Sequence, residues 1–411
     1  MNEKVTVLAP VGSYESLAAA IQAGADAIYF GLNQLNMRAR SAKYFEVNDL
    51  DEIVSRCKKA NVKCYLALNT ILYNHDLNLM RALMNHAKFS GVDGVIVTDH
   101  AAMQYGRSVG MPLHISTQAN ISNIEAVSFY APYADVMVLA RELSLKQVAE
   151  IAQEIRKRQL TGPSGQLVKL EVFVHGALCM AISGKCYLSL HTQFASANRG
   201  ACYQNCRKAY ILTDKEDGHQ FEVDNEYIMS AKDLCTIDML DQVVQTGVAV
   251  LKIEGRARSA DYVYTTTKCY KEAVQAIEQG TFNRKLVKHW ESELSKVYNR
   301  GFWEGYYMGR KLGEWSNQPG SIATEKKVLV GKGQRYYPRL KVGEFAMESG
   351  RLKEGDEIMI ISQKTGITRL TLQGLQVNGC IAYEATGGDH ITFPLEIPVS
   401  EGDVLYKVLL A

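Results

Sequence analysis

VTVLAPVGSYESLAAAIQAGADAIYFGL, residues 5–32, decides how the chain is to be read. Two short apolar runs, 5–10 and 27–32, flank the amphipathic stretch SYESLAAAIQAG, which opens on Ser13 and stops at Gly24. A serine oxygen can accept from the first-turn amides and a glycine can end the last turn, so the stretch predicts strand, helix, strand. The pattern recurs. Six further runs have strand character: KCYLALN (63–69), GVIVTD (94–99), LHISTQ (113–118), DVMVLAR (135–141), LEVFVHG (170–176) and VLKIEGR (250–256). Amphipathic segments such as SLKQVAEIAQEIRKR lie between them. Eight such units predict an α/β fold, a (β/α)8 TIM-like barrel over residues 1–283, with a doubly wound open sheet as the alternative.

Barrels of this kind carry their chemistry where the strands end. Here those ends are polar: Asn69, Asp99, Gln118, Arg141, His175 and Glu254, with Arg256 two residues further on. Asn69, Gln118, Arg141 and Arg256 are the substrate-binding candidates, the arginines because a guanidinium grips a carboxylate or phosphate through paired hydrogen bonds. His175 and Glu254 are the candidates for proton movement.

After the seventh strand the regular alternation stops, and residues 177–226 form an insertion that the barrel topology places over the same mouth. Four of the nine cysteines crowd into it: Cys179, Cys186, Cys202 and Cys206. Nine cysteines in 411 residues are too sparse for a disulfide scaffold, and the start MNEKVTVLAP has no apolar signal core, so a reduced, cytoplasmic setting is expected. Clustered thiols in that setting point to metal, and four thiolates are the ligand set of one [4Fe–4S] cluster. Zinc is less well matched, because only Cys202 and Cys206 have the short pairing usual in structural zinc sites. Cys235, after SAKDL and read as the start of a helix, is an alternative to Cys206 as fourth ligand. Cys57, Cys64, Cys269 and Cys380 fall inside periodic runs and read as packing residues.

Residues 284–321 read as a helix followed by an aromatic, glycine-rich connector. From 322 to 411 the chain turns to short alternating runs such as VLVGKG, GDEIMII and DVLYKV, which predict a small C-terminal β-barrel. RLKEGDEIMIISQKTG resembles the β-barrel domains of translation factors such as elongation factor Tu. No run has the length of a membrane span. The formal charge of +2 comes from 46 basic and 44 acidic side chains, so overall charge does not select a partner. Local basic clusters (Lys252, Arg256 and Arg258; then Lys326, Lys327, Lys332, Arg335 and Arg339), interleaved with Tyr203, Tyr210, Tyr336 and Tyr337, suggest RNA contact.

The run from Glu171 through His175, Gly176 and Cys179 to Gly184, Cys186, Leu188 and Ser189 resembles the signature of the collagenase-type peptidase family U32. SANRGACYQNCR, SAKDL, KIEGR and the opening LAPVGSYESLAAAIQAGADAIYFG are similar to that family's recurring blocks. The resemblance implies one of two activities. One is proteolysis. The other is hydroxylation of tRNA, ribosomal RNA or a quinone precursor by proteins that carry a [4Fe–4S] cluster.

The sequence contains neither G-x-S-x-G nor H-E-x-x-H, which leaves Cys179 with His175 as the conceivable peptidase pair. Length and the β-rich tail match the members that form 5-hydroxyuridine at the tRNA wobble position. For those the resemblance implies prephenate, a small carboxylate co-substrate, as oxygen source, with Arg141 and Arg256 as its candidate holders. The target uridine would be unstacked and received on Tyr203 or Phe194.

Overall fold

The computed structural model describes residues 4–39, 45–208, 210–221, 229–309, 314–316 and 320–411. Eight strands, β1 (Thr6–Pro10), β2 (Ala27–Phe30), β3 (Lys63–Leu68), β4 (Gly94–Val97), β5 (Leu113–Ile115), β6 (Val136–Val138), β7 (Lys169–Ala177) and β8 (Val250–Ile253), pair in parallel in chain order. β8 pairs with both neighbours, Val250 opposite Glu171 of β7 and opposite Thr6 of β1. That double pairing closes the ring and excludes the open sheet. The helices between the strands are α1 (Tyr14–Gln22), α2 (Leu50–Lys59), α3 (Leu77–Ser90), α4 (His100–Ser108), α5 (Ile124–Tyr130), α6 (Leu145–Arg158) and α7 (Leu240–Gln245), with α8 (Ala260–Glu278) after β8.

Local chemistry agrees with this layout. Ser13 and Ser16 cap α1 reciprocally, each side chain accepting from the other's amide, and Gly24 follows the helix at a φ of 79°. In α3 the buried residues Met80, Leu83, Met84 and Ala87 keep the spacing of one helix face turned to the sheet. Along β8 the side chains alternate: Leu251 and Ile253 pack under the helices, while Val250, Lys252 and then Glu254 point into the barrel.

Two regions differ from expectation. Cys235 lies on a strand, Asp233–Cys235, because the C-terminal end of β7 runs past the ring and takes an antiparallel partner there, Cys235 opposite His175. The segment after α9 (Arg284–Lys296) is also more than a connector. Phe302–Trp303 pairs in parallel with Asp233–Cys235, and the buried hydroxyl of Tyr307 donates to the Phe173 carbonyl at 2.6 Å. The aromatic segment thus buttresses the end of β7.

The tail is antiparallel. Its long strand Glu325–Tyr337 pairs with Val404–Leu410 on one side and Val342–Met347 on the other, within an eight-stranded sheet. The sheet wraps a core that includes Phe345, Ile358, Phe393 and Leu405. It docks on the barrel's flank, where Ala19 and Ala260 meet Met359, Ile361 and Ile367. The Gln22 amide accepts from the Ile367 N–H at 2.7 Å and donates to the Ile367 carbonyl at 2.8 Å. Cys57, Cys64 and Cys269 are buried, as packing residues should be. Cys380 is exposed instead, because its two-residue strand Cys380–Ile381 sits at the sheet's end. Among the described residues no helix is long and apolar enough to cross a membrane.

Candidate active site

The strand ends open into a cavity of about 700 Å³, roofed by the cysteine segment. Asn69, Gln118, Arg141, Glu254, Arg256 and the four clustered cysteines line it, whereas Asp99, His175, Phe194, Tyr203 and Cys235 do not. Asn69, after β3, donates to the Gln118 side chain at 2.8 Å, and Ser116 and Thr98 donate to the same Gln118 oxygen. Asn69 also donates to Ser116 Oγ at 3.3 Å and accepts from the Met37 N–H at 3.4 Å, so the two amides are held together in the cavity wall.

Opposite them stands a cationic group around Glu254. Its carboxylate pairs with Arg38 at 3.0 Å and accepts from the Tyr29 hydroxyl at 3.2 Å. Burial alone would raise its pKa, but Arg38, Arg141 and Arg256 outweigh burial and hold it down at about 2. Arg256 is buried and donates to Asn36 Oδ1 at 3.2 Å, while its Nε has no partner among the described residues. Two glycines make room for it. A Cβ on Gly12 would lie 1.9 Å from the Arg256 carbonyl oxygen, and one on Gly31 would lie 2.5 Å from the guanidinium. Arg141 lies flat on Phe173, 3.7 Å from the ring centroid, and donates to the Ala177 carbonyl at 3.0 Å.

His175 sits behind the wall. Tyr262, Tyr270 and Phe302 surround its ring, with the Tyr270 hydroxyl 3.5 Å from Nδ1. Burial, helped by Arg258, pushes its pKa down to about 3, so the imidazole is neutral. Its carbonyl accepts from the Glu254 N–H at 2.8 Å. The contact it makes with the site is through its backbone.

The roof is built of short turns, Ile182–Gly184, Ala197–Arg199 and Asn205–Arg207, around the helix Leu188–Gln193. Arg207 ties its two ends together, donating to the Leu178 carbonyl at 2.7 Å and to Ser230 Oγ at 3.0 Å. Arg199 fixes the roof to the barrel through Asp76 at 2.6 Å. Cys179 and Cys202 are exposed, and Cys186 and Cys206 are half-buried. Burial raises the Cys206 thiol; Arg207 opposes this, and Cys179, Cys202 and Cys186 lie near enough to add to it.

Among the described residues no three His, Cys, Asp or Glu side chains are gathered at metal-binding spacing. The thiols share a cavity wall without forming a finished polyhedron. As a donor set of four sulfurs beside Arg38 and Arg207, they suit an iron–sulfur cluster. Cys235 lies outside the cavity lining, beside the Tyr270 hydroxyl at 3.9 Å, its thiol pushed up to about 12 by burial.

Sequence reading missed the charges beneath the cavity. Lys252, read as part of a surface basic cluster, is buried inside the barrel and pairs with Glu171 at 2.6 Å; His114 Nδ1 is 3.5 Å from the other Glu171 oxygen. The signal was available: a charge at an inward position of an otherwise apolar strand is a misfit unless it is paired. Arg38 carried no comparable signal. In the tail's basic run, Lys327 pairs with Asp261 of α8, and Lys332 pairs with Glu348.

Residues 12–317 match the model of peptidase family U32. The chain belongs to that family. It is 49% identical over 401 residues to a protein of Porphyromonas gingivalis named collagenase, covering 98% of this chain and 97% of that one. It is 36% identical over 411 residues to an uncharacterized protease of Methanocaldococcus jannaschii, covering 99% and 98%. It is 32% identical over 316 residues to tRNA hydroxylation protein P1 of Bacillus subtilis, covering 75% of this chain and 72% of that one. Family membership thus spans both activity classes, and the site chemistry has to separate them.

Proposed function

We propose that this protein hydroxylates RNA, with the wobble uridine of tRNA as target and 5-hydroxyuridine as product. The observation that carries the reading is the composition of one cavity: four thiols in its roof, facing Arg38, Arg141 and Arg256 in its walls. Cys179, Cys186, Cys202 and Cys206 would hold a [4Fe–4S] cluster. Such a cluster supplies electron-transfer chemistry at the cavity's edge. Arg141 and Arg256 grip a carboxylate of a small co-substrate, for which prephenate is the candidate, and Asn69 and Gln118 line its neutral part. Ionised and paired with Arg38, Glu254 orients these groups. Tyr187, exposed at the cavity's edge, and the exposed Phe194 and Tyr203 of the roof are candidates to receive an unstacked base. Lys326, Arg335 and Arg339 of the tail are candidates for phosphate contact.

The name of the Porphyromonas relative favours a second reading, a thiol peptidase. It requires a base within reach of Cys179. His175 is buried outside the cavity that Cys179 lines, and its low pKa makes it a poor base near neutrality. The deciding experiment is mass spectrometry of tRNA nucleosides from cells with and without the gene, in a strain with no second hydroxylation route. Undiminished 5-hydroxyuridine derivatives, together with gelatin cleavage abolished by Cys179→Ala, would replace the hydroxylase reading with the peptidase one.

A further inference from the structure

The cavity has a second cationic point, well below the arginines. Lys252 of β8 is buried, yet it lines the cavity floor. An ammonium has three donors. One is taken by Glu171 at 2.6 Å; the nitrogen otherwise faces the rings of Tyr29, 4.5 Å from its centroid, and Phe173, at 5.4 Å. Arg256 lies 5.6 Å from the centroid of the same Tyr29 ring, with its buried Nε unpartnered. Two buried cations with unspent donors therefore share one aromatic ring, one deep in the barrel and one at its mouth. A barrel floor could be filled by an apolar residue at no electrostatic cost, so a paired charge there calls for an oxygen ligand from the cavity side.

We infer that Lys252 is a substrate-binding residue that receives the inner carboxylate of a small dicarboxylate, whose outer carboxylate lies on Arg256. Glu171, fully buried beneath it, is the positioning residue. Its carboxylate accepts one of the Lys252 donors at 2.6 Å and fixes the nitrogen at the cavity floor, where the remaining donors can meet an anion. The span between the two cations then selects for ligands with acid groups at both ends. This deepens the hydroxylation reading and rests on it only for the identity of the dicarboxylate.

The test is calorimetric titration of the full-length, anaerobically purified protein with prephenate, a dicarboxylate, and phenylpyruvate, a monocarboxylate. The wild type should prefer prephenate. In Lys252→Met, prephenate affinity should fall roughly tenfold to a hundredfold while that for phenylpyruvate changes little, since one charge-assisted contact is lost. Lys252→Arg should recover part of the preference. If Lys252→Met does not fold because Glu171 is left unpaired, the double variant Lys252→Met with Glu171→Gln removes both charges and should show the same loss of preference. Equal weakening of both ligands, an unchanged prephenate affinity, or no prephenate preference in the wild type would each overturn the inference. So would a borohydride-trapped phenylpyruvate adduct on Lys252. Persistence of 5-hydroxyuridine in cells lacking the gene, alongside the expected titrations, would sink the hydroxylase reading and leave this one standing.

Discussion

The barrel interior and its cysteine roof solve opposite problems. In the floor and walls of the cavity Lys252 meets Glu171, Arg38 meets Glu254, and Arg256 meets Asn36. Above it, four thiols stand in or beside short turns, and Met180, Ile182, Tyr187 and Phe194 are exposed. One half is organised by the chain alone. The other has the chemistry of a site that a bound group completes. The comparison teaches where folding energy and where ligand energy should reside.

The largest effect belongs to the interior. Glu171→Ala strands the Lys252 ammonium, and loss of one partner of a buried pair costs about 3–5 kcal/mol; urea denaturation of the purified protein measures it. A cost below about 1 kcal/mol would mean that the floor is wet and the contrast with the roof is lost. Acid should reveal the same pair. Glu171 is buried, but Lys252 and His114 hold its pKa at about 2, below the 4.5 of an unfolded glutamate. Its stabilising contribution is whole above pH 4.5 and drains away as the pH falls toward 2, because the unfolded chain takes up the proton first. A midpoint of acid unfolding that does not move in Glu171→Gln would contradict this.

Next come the walls. Arg141→Ala or Arg256→Ala should weaken use of a limiting carboxylate co-substrate by about 1.5–3 kcal/mol, with iron content unaltered. Unchanged activity at limiting co-substrate would remove these arginines from the site. At the flank, Gln22→Ala should cost about 1 kcal/mol by leaving the Ile367 N–H and C=O unmatched, read as a lowered denaturation midpoint.

The smallest effect on barrel stability, within about 0.5 kcal/mol, is expected in the roof. Alanine at Cys179, Cys186, Cys202 or Cys206 should nonetheless abolish the brown chromophore and most of the iron in anaerobic preparations. Full iron in all four variants and in Cys235→Ala would dismiss the cluster. Loss in Cys235→Ala with retention in Cys206→Ala would move the fourth ligand behind the wall.

Much of this was legible in the chain. Strand and helix periods, caps such as Ser13 and Gly24, and the change to alternating runs after residue 322 are local signals, and the eightfold count followed from them. Local signals do not carry closure. Nothing near Val250 announces that it will lie opposite both Glu171 and Thr6. The strand at Asp233–Cys235 was hidden for the same reason: it exists because β7 overshoots the ring and needs a partner. His175 was read as a strand-end residue, but that overshoot carries the chain on to Ala177 and turns the imidazole into the aromatic layer. Lys252 shows the converse error. Counted with its basic neighbours, it resembles a surface patch; counted by strand parity, it must point inward.

The side chain of Gln22 has a consequence of another kind. Gly366–Thr371 is the outermost strand at one end of the tail's sheet, and such a strand carries backbone groups that recruit other chains. The helix amide meets both groups of Ile367 and behaves as a one-residue strand placed there by the barrel. Severed from the barrel, residues 322–411 would expose that edge beside Met359 and Ile361. Concentration-dependent light scattering from the isolated tail, suppressed by a charge placed on Ile367, is the expected signature of an adhesive surface that the intact chain keeps covered.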